Sequence, residues 1–91
     1  MNRELRDGMG LVRGCAIEYA PAGVEVRDWR EGSSLDFCLW GVVNGRERAL
    51  LEMSYEDLTD CPGGAADTSG GDLHWPKVRA WVRQTMIDLD Q

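Results

Sequence analysis

Cys61, His74 and the serines at 33, 34, 54 and 69 could make a nucleophile and its base, and the carboxylates from Glu52 to Asp72 could trade protons or hold a cation. No spacing signals either chemistry. His74 is the only histidine, so a Ser-His or Cys-His pair must use it, and no local frame marks its partner. Cys61 sits among acids, which disfavour the thiolate. Cys15, Cys38 and Cys61 lie far apart without the C-x-x-C pairs of a zinc ribbon or redox motif, and read as reduced, mostly buried thiols. Asp67-Thr-Ser-Gly-Gly-Asp72 offers hard oxygen ligands but lacks EF-hand spacing. Gly63-Gly64 and Gly70-Gly71 precede no Gly-Lys-Ser/Thr phosphate loop. The chain is therefore read as non-enzymatic, with no catalytic residue, metal ligand or cofactor assigned.

The same carboxylates carry a second kind of information. Glu52, Glu56, Asp57, Asp60, Asp67 and Asp72 fall between Arg48 and Lys77 with no Lys or Arg among them, while the flanking stretches are each within one charge of neutral. One segment thus holds the whole formal charge of −6. That sign favours a cationic partner over a polyanion, and these six acids are the expected partner-binding residues. A nucleic-acid site would need a basic face, and the best candidates, Arg46, Arg48, Lys77, Arg79 and Arg83, are outweighed by the acids. No apolar run approaches the roughly 18 residues that span a bilayer, and no apolar stretch follows the charged N-terminus. A cytoplasmic location and no membrane partner are expected.

These residues must be positioned by a small fold. Ninety-one residues make one domain. Residues 1–10, with Gly8 and Gly10 around a short charged stretch, read as a flexible tail ahead of a domain at 11–91. Leu11, Cys15, Ile17 and Tyr19 share one parity, and with Pro21-Ala22-Gly23 and the alternation from Val24 to Trp29 they predict a first β-hairpin. Leu35 to Val43 and Arg46 to Met53 flank Asn44-Gly45, the pair best suited to a type I′ turn, and predict a second. Ser54 is placed as the N-cap of a short helix ended by Cys61-Pro62-Gly63-Gly64, with a flexible Gly-rich loop at 61–72. A last helix runs from about Leu73 or Pro76 to Leu89, with Trp75, Val78, Trp81, Val82, Met86 and Leu89 as its apolar stripe. The fold class expected is α+β: an antiparallel four-stranded meander with the C-terminal helix packed on one face.

A two-residue turn would pair Leu39 with Leu50 and Phe37 with Glu52 on one face. It would leave Asp36, Cys38, Trp40 and Val42 with Met53, Leu51, Ala49 and Glu47 on the other, which is assigned to the core. Phe37, Leu39 and Leu50 then form an apolar island with a charged rim, the layout of a homodimer interface. Trp40 and Trp81 are assigned to the core. Trp29, placed opposite Val24 and Val26, is the tryptophan expected to be exposed and to anchor a partner. The expected function is that of a small acidic protein-binding module, whose concrete version is an inhibitor on a basic, nucleic-acid-binding surface of a larger protein. Small acidic phage counter-defence proteins act in this way, an analogy of size and charge. The alternatives are a self-associating domain and a small ligand-binding or hydrolytic domain around His74.

Overall fold

Leu5, Met9, Val12, Ala16 and Tyr19 recur at spacings of four and three, and in a computed structural model of the chain they form one stripe of a helix. The structure describes residues 3–32, 36–66 and 74–89, with the backbone alone at 62–66 and 74. Helix α1 (Arg3–Tyr19) buries Leu5, Gly8, Met9, Val12, Cys15 and Ala16. Residues 3–10 are therefore not a tail, and the first expected strand is helical. Each residue advances about 100° around a helix, which gathers the four-and-three series on one side. The odd-numbered alternation from Leu11 is incidental to it, and Ile17, 50% exposed, points away.

Three strands follow, β1 (Val24–Glu31), β2 (Asp36–Val43) and β3 (Arg46–Ser54), in one antiparallel sheet of order β1-β2-β3. The α+β class holds, with three strands among the described residues where four are expected from the sequence. Asn44 and Gly45 adopt φ of 51° and 85° at the tip between β2 and β3, as a type I′ turn requires. From that turn Val43 pairs with Arg46, Gly41 with Arg48 and Trp40 with Ala49. The ladder then slips. Leu39 pairs with Leu51 and Phe37 with Met53, because Leu50 is an extra residue on β3, a β-bulge. Past a bulge the parity of the strand changes, so Leu50, Leu51 and Met53 all turn inward and are buried beside Leu39.

A second irregularity lies in β1, where Val26 pairs with Gly41 but Trp29 pairs with Leu39. Arg27 and Asp28 together oppose Trp40 there. Trp29 consequently joins Val24 and Val26 on the inner face, and its indole N–H donates to the Met9 carbonyl of α1 at 3.0 Å. The bulge also meets α1 through Arg13, whose Nε donates to the Arg27 carbonyl and lies 3.7 Å from Asp28.

Two further helices complete the buried layer, α2 (Tyr55–Ala66) and α3 (His74–Asp88). Ser54 caps α2, its Oγ accepting the Asp57 N–H at 3.2 Å, and Glu56 and Asp57 stand in the first turn where the macrodipole favours acids. The helix does not stop at Cys61; it runs through Pro62-Gly63-Gly64 to Ala66. Pro62 has no N–H for the Leu58 carbonyl one turn back, and that carbonyl instead meets α1 at Gly8, where a Cβ would overlap its oxygen. The expected flexible loop thus begins inside α2, and its remainder, 67–72, lies outside the described residues. Leu58, Val12, Leu39, Val82 and Met86, from α2, α1, β2 and α3, are fully buried and form one cluster. None of the helices among the described residues is long and apolar enough to cross a membrane.

Candidate interaction surface

Where β3 runs into α2, Glu52, Glu56, Asp57 and Asp60 are all exposed. Glu52 alternates with buried Met53 on the strand, and Glu56 and Asp57 precede buried Leu58 on the helix, so inward apolar residues fix the acids outward. Asp67 and Asp72, expected with them, lie outside the described residues. Ion pairs among the described residues join Arg3 to Asp7, Arg13 to Asp28, Arg27 to Glu25, Arg30 to Glu47 and Arg79 to Glu18. Glu52, Glu56 and Asp60 take part in none of these.

Beside this junction a groove of about 260 Å³ opens at the edge of β3, lined by Glu52, Met53, Asp57, Lys77, Val78 and Trp81. Trp81 is 45% exposed and not part of the core. Val78, Val82, Met86 and Leu89 cluster on one side of α3, and Trp81 falls roughly 100° from the middle of that stripe. The same geometry leaves Ile87 exposed at 39%.

The other expected sites fall differently. Leu39 and Leu50 are core residues and Phe37 packs against them, so the bulge removes the apolar island from the surface. Trp29 is half-buried against α1 and is no free anchor. Trp40 lies on the outer face of the sheet, not in the core, half-buried beneath the Arg30 guanidinium 4.5 Å from its ring centre. Arg30 in turn reaches Glu47 at 3.0 Å. On α3, Arg79 donates to the Tyr19 hydroxyl at 2.9 Å, and Arg79 and Arg83 both lie over the Tyr19 ring. His74 is the first residue of α3, and its side chain lies outside the described residues.

The thiols are held neutral. Burial, then the charges of Asp57 and Asp60, push Cys61 from its ordinary 9.0 to about 11, and its Sγ donates to the Asp57 carbonyl at 3.1 Å. Burial also raises Cys15, opposed by Arg79 and assisted by Glu18. Cys38 is raised by burial and by its hydrogen bond to Glu52, with the Glu52 and Asp36 charges adding to it. Such thiols are poor nucleophiles at neutral pH. No group of three or more His, Cys, Asp or Glu side chains able to hold a metal occurs among the described residues.

The Cys61 shift has a stability consequence of definite sign. Between about pH 9 and 11 the native chain keeps a proton that the unfolded chain has lost, so stability falls as pH rises through that window. The urea midpoint is expected to drop over this range more steeply than in Cys61→Ala. Equal slopes would show that Cys61 does not contribute.

Comparison with known protein families, characterised proteins and solved structures finds no match.

Proposed function

We propose that this chain is a small binding module that holds a basic surface of a larger protein through the acidic junction of β3 and α2. The carrying observation is that Glu52, Glu56, Asp57 and Asp60 are exposed together in a stretch with no Lys or Arg from 49 to 76. Like charges gathered on one face repel one another, and a cationic partner relieves that repulsion while the field steers its approach. A surface that holds nucleic acid supplies such cations. Occupying it would exclude the nucleic acid, so the natural role for a module with this chemistry is that of an inhibitor.

Charge reversal is the direct test. Replacing Glu56, Asp57 and Asp60 by Lys moves the formal charge from −6 to zero. Binding of a nona-arginine peptide, and then of any basic protein captured from the native lysate, is expected to weaken at least tenfold at low salt and to lose most of its salt dependence. Circular dichroism checks that the fold survives. An unchanged association rate and salt slope would remove the reading.

A further inference from the structure

Resting on the acidic-module reading, we infer that the partner docks as an extended segment with alternating basic and apolar residues, laid along the outer edge of β3 in the groove beneath Trp81. Among the described residues the strand order leaves β3 with one neighbour, β2, and an edge strand presents N–H and C=O groups that another chain can pair with. Which groups these are follows from the register. Val43 and Arg46 flank the two-residue turn as a mutually bonded pair, so Glu47 and Ala49 direct their backbone groups away from β2. Consistently, the Ala49 carbonyl accepts from the Arg48 side chain at 3.3 Å. Beyond the bulge the Asp36 carbonyl accepts from Gly32, the residue just after β1. Cys38, of the same parity, therefore turns to β1, which leaves its β3 partner Glu52 facing outward as well.

The walls select the occupant. Met53, Val78 and Trp81 give the groove an apolar side, and Glu52 and Asp57 give it two carboxylates against the single ammonium of Lys77. An added strand sends successive side chains to opposite faces, so one of alternating composition sets its apolar residues against Trp81 and its cations against the acids. Arg46, Glu47 and Arg48 place charges along the hairpin half of this edge, which discourages indiscriminate pairing there. A second copy is the poorer occupant, since it brings the same carboxylates and another −6 to the same edge. The outer sheet face is also less suited, because Arg30 and Glu47 already cover Trp40.

An acetylated, amidated decapeptide of alternating Arg and Val tests this with three readouts. Amide hydrogen exchange at Glu47, Ala49 and Glu52 is expected to slow at least tenfold with the peptide bound. The same peptide N-methylated at alternate residues, on the edge that faces β3, keeps its charge but loses the strand donors, and should bind at least tenfold more weakly. Trp81→Ala should weaken the parent peptide about tenfold. Unchanged exchange at the three amides, or an N-methylated peptide binding within twofold of the parent, overturns the inference.

The underlying reading fails separately. Nona-arginine binding that the triple Lys variant abolishes, with the three amides unprotected by the Arg-Val peptide, leaves the acidic surface standing and removes the edge. Protection of those amides that persists undiminished in the triple variant does the reverse. Dimers in sedimentation, with the three amides protected before any peptide is added, would make a second copy the occupant and overturn the proposal.

Discussion

Gly8→Ala is expected to destabilise the fold by about 3 kcal/mol, against the direction that helix propensity alone would give. In a helix interior Ala is favoured over Gly by up to about 1 kcal/mol. At Gly8 the added Cβ would overlap the Leu58 carbonyl oxygen, with the Leu58 carbonyl carbon close behind. Backbone atoms cannot rotate aside, so α1 and α2 must separate, and both helices carry core residues that separation would loosen. For a domain of this size the loss corresponds to a fall in Tm on the order of 10 to 20 °C. Gly10 and Gly14 lie in the same helix, and a Cβ at either meets nothing within 4 Å. Gly10→Ala and Gly14→Ala should therefore each stabilise, by up to about 1 kcal/mol. Calorimetry on the three variants is the check. A Gly8→Ala variant as stable as the other two would mean that the helices do not meet at that residue.

These glycines also explain what the sequence concealed. Three of them within seven residues read as breakers and hid the apolar series of α1, although Leu5, Met9, Val12, Ala16 and Tyr19 stand in the spacing that a helix demands. A glycine needed for close helix contact is indistinguishable, in one sequence, from a glycine that ends a helix. Pro62 misleads in the same way, since the carbonyl it strands is placed against Gly8 only by tertiary packing. The Asn44-Gly45 turn, the strands on either side and the Ser54 cap were legible because each is set by residues in immediate contact. Bulges are not, because an extra residue is defined by the partner strand. Alternation therefore located β1 and β3 but inverted the facing of Trp29, Leu39 and Leu50. The acids of the candidate surface were readable as a segment, whereas the groove beside them required α3 to bring Lys77, Val78 and Trp81 to β3.

The inversion itself can be tested by pairing two substitutions, Leu39→Ala and Trp81→Ala, whose ranking depends on which side chain is inside. Leu39 has no exposed surface, and it lies on the central strand among Leu50, Leu51, Met53 and Trp29. Truncating it removes several buried carbons and leaves a cavity among neighbours on both adjacent strands, so a loss of roughly 3 to 5 kcal/mol is expected. Trp81 is much the larger side chain, but 45% of it is exposed. The burial of its remainder, beside Met53 and Val78 in the groove wall, is partly offset by the helix preference for Ala, which leaves a loss of about 1 to 1.5 kcal/mol. Urea unfolding of both variants distinguishes the arrangements, with unchanged m-values required for the comparison. A Trp81→Ala variant losing more stability than Leu39→Ala would return Trp81 to the core and Leu39 to the surface. That outcome would close the groove and restore the apolar island as the surface on which a partner could settle. The ranking expected here keeps Trp81 available, at small cost to the fold, for contact with a partner.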